Sequence, residues 1–220
     1  MQYAFFYEQN KTLSVNKAIM KTLKEDVRSR IVMAARSEFV KCGYRKTSMR
    51  TISAKSGVVL GNIYNYFKTK DDIFCAVLRP LLSVIGECMA EHSKGEHEEK
   101  RLDFSRQRQK EFLSSMLRII FLYKEELRLL LFESQGTSLE NFRETFIDEQ
   151  VAISRTYMEQ VETSVSPLFF RISASTWLTI IGEIVSRPDL QHEEVRQALT
   201  EYIRYNTAGW QELIKLSLIH

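Results

Sequence analysis

Glycine and proline are scarce in this chain, 8 and 3 among 220 residues. That leaves too few turn-formers for an all-β fold of many short strands. The three cysteines, Cys42, Cys75 and Cys88, are odd in number and show neither CxxC nor metal-type spacing. No disulfide framework is expected, only thiols in a reducing cytoplasm. Long apolar runs are also missing: Arg and Lys interrupt candidates such as "SMLRIIFLYKEELRLLLF", so no membrane span is expected. The opening "MQYAFFYEQNKTLSVNKAIM" lacks the basic and apolar regions of a signal peptide. No phosphate-binding glycine loop, nucleophile elbow or HExxH stands anywhere. His92, His97, Glu98 and Glu99 crowd one polar stretch, and His192 precedes two glutamates. Without a Cys partner or zinc-type spacing these are solvated charges. Neither an enzyme nor a cofactor or metal protein is expected.

The composition that remains is that of a soluble globular protein, 44% hydrophobic and 27% charged. Long stretches rich in Leu, Glu, Lys, Arg and Ala favour helices, so the fold class is all-α. The net charge of +3 conceals an asymmetry. Residues 1–70 hold 14 Lys/Arg against 4 Asp/Glu, net +10, and the remaining 17 against 24 give −7. A basic head on an acidic body is the footprint of a nucleic-acid-binding domain joined to one that avoids nucleic acid.

Residues 1–22 lack clear periodicity and form an N-terminal extension, either a loosely held arm or a stretch ahead of a start at Met20. From Lys24 a helical pattern places Val27, Ile31, Ala34 or Ala35, and Phe39 on one face and stops at Gly43. Thr47 and Ser48 suit the N-cap of a second short helix that ends at Gly57. A third runs roughly from Leu60 to Tyr66. Thr69 then caps a fourth, with Asp71 and Asp72 in its first turn. Further helices are predicted near 103–124, 125–134, 139–163, 167–186 and 190–217, with Gly136, Pro167 and Pro188 at boundaries. The division is 1–22 extension, 23–70 DNA-binding domain and 71–220 helical body.

A short helix, a glycine turn and a second short helix make a helix-turn-helix, whose second helix can enter the major groove of double-stranded DNA. In "SGVVLGNIYNYFKTKDD", Ile63 and Phe67 lie four apart and turn inward. Tyr64 and Tyr66 fall off that row, where their hydroxyls suit phosphate oxygens. Gly61 permits close backbone approach, and Asn62 can reach a base edge. Lys70 adds a charge for a phosphate. Phe39, Ile52, Ile63 and Phe67 are assigned to the core.

The stretch "SMRTISAKSGVVLGNIYNYFKTKDDIF" resembles the N-terminal domain of TetR (tetracycline repressor-like) transcriptional regulators. The likeness covers Lys24 to Leu78 and rests on an Ile-Ser pair in place of Ile-Ala, a Gly-Val turn and the Gly-Asn-Ile-Tyr-x-Tyr-Phe recognition helix with its following lysine. It implies a three-helix DNA-binding domain on a helical ligand-binding and dimerisation body, working as a two-fold dimer. It further implies that Tyr64, Tyr66 and Lys70 hold phosphates, that Leu60, Gly61 and Asn62 face bases, and that Thr47 and Ser48 cap the second helix against the DNA backbone. Ser53 and Ser56 depart from the alanines usual there, a mild change. Val59 replaces a common capping Ser or Thr, and Leu60 a frequently polar residue.

For the body the resemblance implies an unknown small-molecule effector, apolar or amphipathic. Phe112, Met116, Phe121, Phe132, Phe146, Met158 and Trp177 are the candidate pocket residues, though at helical spacing they equally fit an ordinary core. The last two helices are expected to form a four-helix dimer interface. Ser173, Ala174, Gly182 and Gly209 would permit close approach there. Leu178, Ile181, Ile184, Val185, Leu199, Ile203 and Trp210 would supply the apolar stripe, unless that stripe covers the body's own core. The expected protein is a ligand-released repressor on a palindromic operator. The alternative is a nucleoid-type or adaptor protein with the same head and no ligand.

Overall fold

The computed structural model describes residues 2–93, 105–160 and 165–217, and side chains within 22–88, 105–156 and 165–214. Among the described residues it is all-α. The helices are α1 Gln2–Lys46, α2 Met49–Ser56, α3 Leu60–Ile63, α4 Lys70–Ser93, α5 Arg106–Leu122, α6 Lys124–Phe132, α7 Phe142–Gln160, α8 Pro167–Ser186 and α9 His192–Ser217. Two compact units divide the chain, residues 1–77 and 78–220.

The first unit is built on α1, which begins upstream of the expected start near Lys24. Its helical geometry breaks at Gly43 (φ 77, ψ 165), a left-handed value that glycine adopts without a Cβ penalty. Ile31, Ala35 and Phe39 are fully buried from α1, as are Ile52 from α2 and Ile63 from α3. Phe39, Tyr44 and Phe74 form a ring cluster in which Phe74 meets Phe39 edge-on at 5.2 Å and Tyr44 at 5.0 Å. Edge-to-face packing sets the positive rim of one ring against the negative face of the next and adds about 0.5–1.5 kcal/mol per pair. Phe67 is 4% exposed, with the Arg28 guanidinium 5.0 Å above its ring. All four residues assigned to the core lie in it.

The first turn of α4 is closed by a reciprocal cap. Thr69 Oγ1 accepts from the Asp72 amide at 3.0 Å, and Asp72 Oδ2 accepts from the Thr69 amide at 2.9 Å. Two helix-start donors are thereby satisfied, and both aspartates sit at the positive end of the dipole.

The second unit buries Ile119 and Ile120 of α5, Leu127 to Leu131 of α6 apart from Arg128, Leu178, Ile184 and Val185 of α8, and Val195, Leu199 and Ile203 of α9. Much of the stripe expected at a subunit interface therefore faces this unit's own core. Gly182 also serves internal packing: a Cβ there would come within 3.0 Å of Phe132 Cζ. A smaller cluster gathers Val151, Val165, Trp210 and Ile214 about buried Phe170. Arg171 of α8 bridges Glu144 and Asp148 of α7, its Nη1 lying 2.6 Å from Asp148 Oδ1.

One expectation fails. Helix α8 is long and apolar enough, by length and composition, to cross a membrane. Arg171 and Glu183 are its charges among twenty residues, too few to break the run, whereas Arg118, Lys124 and Arg128 break the stretch quoted above. One third of its most apolar window is buried.

Candidate nucleic-acid interface

The interface is assembled around the turn between α2 and α3. Ser48 has extended backbone (φ −116, ψ 156), and its Oγ accepts from the Thr51 amide at 3.1 Å, the expected N-cap. Gly57 closes α2 in the left-handed conformation (φ 65, ψ 18). The two serines that depart from the expected alanines brace this turn. Ser53 Oγ donates to the Val58 carbonyl at 2.7 Å, and the Val58 amide donates to Ser56 Oγ at 3.3 Å. Arg30 of α1 adds a third tie, its Nη2 donating to the Ser56 carbonyl at 2.8 Å. The turn that aims α3 is tied by side chains as well as by its glycine.

Helix α3 starts at Val59 without a side-chain cap, as the missing hydroxyl predicts. Its α-helical part is one turn, Leu60–Ile63, continued by bonds from Tyr66 N and Phe67 N to the Ile63 carbonyl at 2.9 and 3.0 Å. Ile63 and Phe67 anchor the inner side. Gly61, Asn62, Tyr64 and Asn65 are exposed, while Leu60 and Tyr66 are half-buried. No neighbouring atom lies within 4 Å of a Cβ built on Gly61. Asn62 Oδ1 accepts from Asn65 Nδ2 at 3.1 Å. Asn65 had no place in the expected site, although its three-residue step from Asn62 puts both amides on one face.

Two expected DNA-facing residues have other surroundings. Thr47 is 3% exposed, and its hydroxyl donates to the Gly43 carbonyl at 2.8 Å. It closes the break after α1 and presents nothing to a phosphate. The Lys70 ammonium donates to the carbonyls of Tyr44 at 2.8 Å and Thr47 at 2.9 Å, and stands 4.0 Å from the centre of the Tyr44 ring. It ties together two carbonyls where α1 ends, the Tyr44 one also accepting from the Thr47 amide at 3.3 Å, so it is a structural cation here. Burial holds its pKa below the usual lysine value. Burial first, then the nearby Asp71 and Cys75, pushes the Tyr44 hydroxyl up.

Exposed positive charge close in sequence to α2 and α3 sits on residues that a motif search passes over. Arg45, Lys46, Arg50 and Lys68 are all exposed around α2 and α3. Lys55 is turned toward Glu38 of α1 in an ion pair. The signal for the first four lay in the net charge of the head, which locates a basic region without saying which members reach its surface.

Of the candidate pocket residues Phe112 and Trp177 come together, while Phe121, Phe132 and Phe146 have separate partners. Phe112 meets Trp177 edge-on at 5.3 Å, and Trp177 meets Tyr202 at 4.9 Å. Phe121 stacks on His192 at 4.1 Å, Phe132 lies over Gly182 and Phe146 faces Phe142. Met116 is half-buried on α5, and the Met158 side chain lies outside the described residues. An open groove of about 390 Å³ between α7 and α8 is lined by Glu144, Ile147, Arg171, Ile172 and Thr176 among others, and by none of the seven. Among the described residues no group of three or more His, Cys, Asp or Glu could hold a metal. His97, Glu98, Glu99 and the His92 side chain lie outside them.

Comparison with known proteins supplies the remaining finding. Residues 31–77 match the family described as "Bacterial regulatory proteins, tetR family". Among solved structures, a candidate TetR-family transcriptional regulator from Syntrophomonas wolfei str. Goettingen is similar at 19% identity and TM-score 0.62, over 84% of this chain and 96% of that one. NalD, the secondary repressor of the MexAB-OprM multidrug efflux pump in Pseudomonas aeruginosa, is 18% identical with TM-score 0.58, over 83% and 95%. A TetR-like transcriptional regulator from Rhodococcus sp. RHA1 is 17% identical with TM-score 0.60, over 83% and 96%. At these identities the likeness is one of fold, and the matched segment is the one that holds α2, its turn and α3.

Proposed function

We propose that the chain is a DNA-binding transcriptional regulator of the tetR family, whose model matches residues 31–77, and that it acts as a cytoplasmic homodimeric repressor. It binds an inverted-repeat operator and is released by a small apolar or amphipathic molecule. The observation that carries the DNA half is the sidedness of α3, with Ile63 and Phe67 buried while Asn62, Tyr64 and Asn65 are exposed. An exposed polar face of that kind, ringed by Arg45, Lys46, Arg50 and Lys68, fits a major groove flanked by phosphates. Ser48, Leu60, Gly61, Asn62, Tyr64 and Tyr66 keep their assigned contacts in this reading. Thr47 and Lys70 support the surface from behind.

The dimer half rests on the last two helices. Leu168 is 64% exposed, Phe169 37%, Ile172 54% and Tyr205 76%, and Gly209 opens onto free space. A second copy laid on this face would bury them in a four-helix bundle. Two recognition helices would then have to stand about one DNA turn, roughly 34–36 Å, apart. An effector preferring another spacing lowers operator affinity by its differential affinity for the two states. The Phe112, Trp177 and Tyr202 aromatics are the favoured contact for such a molecule, because an indole N–H seeks a polar partner inside an apolar wall.

Selection of bound duplexes from a random pool at near-physiological salt tests the reading, with sedimentation of the same preparation. Inverted half-sites about one turn apart and a dimer at micromolar concentration are expected. A monomer that enriches no sequence, and whose binding fades as salt is added, would leave the nucleoid-type or adaptor reading in its place.

A further inference from the structure

We infer that Asn65 is a specificity-positioning residue: it holds the Asn62 carboxamide with its Nδ2 hydrogens outward, so that this side chain meets one base edge as a hydrogen-bond donor. The inference rests on the operator-binding reading above and adds the kind of base that is read.

A free asparagine side chain facing the major groove pairs with adenine, accepting from N6 and donating to N7. That pairing needs Oδ1 and Nδ2 side by side on the groove. Here Oδ1 of Asn62 already accepts from Asn65 Nδ2 at 3.1 Å, and both side chains are exposed. The oxygen is drawn back along the helix toward Asn65, which leaves the Nδ2 hydrogens as the outward pole. The backbone holds this arrangement in place. Asn62 N bonds the Val59 carbonyl at 2.8 Å, and Asn65 N bonds the Asn62 carbonyl at 3.1 Å, so both side chains leave from fixed points one turn apart. The rotamer cost of aiming the amide is met before DNA arrives, which sharpens discrimination. Donors facing the groove match N7 and O6 of guanine or O4 of thymine. They do not distinguish adenine as its own two-point pairing would.

The test compares duplex selection by the full chain with Asn62→Ala, Asn65→Ala and Asn65→Asp. The wild-type protein should enrich guanine or thymine at one position of each half-site, and Asn62→Ala should flatten that position alone. Asn65→Ala releases Oδ1, so the same position should move toward adenine by about five- to tenfold with its neighbours unchanged. Asn65→Asp has no hydrogen to donate and accepts from Nδ2, which turns Oδ1 outward. The position should then favour the N6 or N4 donors of adenine or cytosine, even if the added charge weakens binding to every sequence. Adenine at the Asn62-dependent position in the wild type would overturn the inference. So would a base there that neither Asn65 substitution changes. An absence of any motif in the wild type would overturn the operator reading together with it, an outcome distinct from a motif indifferent to Asn65.

Discussion

Replacing Gly57 by alanine tests the turn on which the whole interface depends. Gly57 holds φ +65, where a Cβ crowds the following carbonyl and costs an L-residue roughly 1–2 kcal/mol. The same Cβ would lie 3.1 Å from Arg30 Nη2, the group that donates to the Ser56 carbonyl at 2.8 Å. That contact is tighter than ordinary packing, so the guanidinium must move. Because Arg30 is exposed, losing its bond costs less than the range for charged groups, about 1 kcal/mol. The two effects together give about 2–3 kcal/mol. For a chain of this size that lowers the thermal midpoint by roughly 5–10 °C, read by circular dichroism. Gly57→Asn separates the causes. Its Cβ meets the same guanidinium, but asparagine tolerates the left-handed region, so about 1 kcal/mol should return. An alanine variant within about 0.5 kcal/mol of wild type, the usual scatter of surface changes, would refute the argument. Equal losses for alanine and asparagine would refute its backbone half.

Gly61→Ala should act oppositely. It lies in a helical turn with no atom within 4 Å of the new Cβ, so stability should rise by about 0.5–1 kcal/mol in urea titration while operator affinity falls. Undiminished affinity would place the Gly61 backbone away from DNA. Lys70→Met leaves the Thr47 carbonyl without its ammonium donor and the Tyr44 carbonyl with the Thr47 amide alone, and should cost about 1–2 kcal/mol at neutral pH. The slope of log K against log salt should stay unchanged; a fall of a full unit would put the ammonium on a phosphate. Its pH signature is also fixed. The folded protein releases this proton at lower pH than the unfolded chain, so stability rises as pH climbs toward the ordinary value of 10.5. The difference between wild type and Lys70→Met should trace that rise. Tyr66→Phe should weaken binding to all duplexes alike, by about 1 kcal/mol in fluorescence anisotropy, as expected for one phosphate hydrogen bond; a change in base preference would contradict it.

The head was legible in the sequence because its constraints are local. The four-residue step from Ile63 to Phe67 follows from helical period, Gly57 from a turn that needs a positive φ, and Ser48 and Thr69 from helix starts with open amides. The places where the structure departs from that reading involve polar partners that a motif does not record, most of them distant in sequence. Lys70 lies beside the recognition motif, yet its ammonium answers carbonyls 26 and 23 residues earlier. Thr47 has the right chemistry for a phosphate and is spent on the break at Gly43. The Ser56 carbonyl is tied to Arg30, a full helix away, through a backbone atom that no sequence letter records. A motif gives residue types and spacings; it does not give the polar groups that folding brings alongside.

The body shows the same limit more severely. Helical period places an apolar residue on an inner or outer face, and the buried Leu178, Leu199 and Ile203 obey it. Period alone does not say whether an inner face meets its own unit, a second copy or a ligand, since all three need the same side chains. Gly182 illustrates the ambiguity. Between helices of two subunits it would allow close approach; here the room is taken by the Phe132 ring of its own unit. The discriminating residues are those that break the economy of burial. Leu168, Ile172 and Tyr205 leave large apolar surfaces open on α8 and α9, at a cost of about 25 cal/mol per Å² until something covers them. The substitution Ile172→Asp therefore separates the alternatives. On a free surface it changes little, whereas within a bundle of two copies it places a charge in an apolar seam and should shift sedimentation to the monomer.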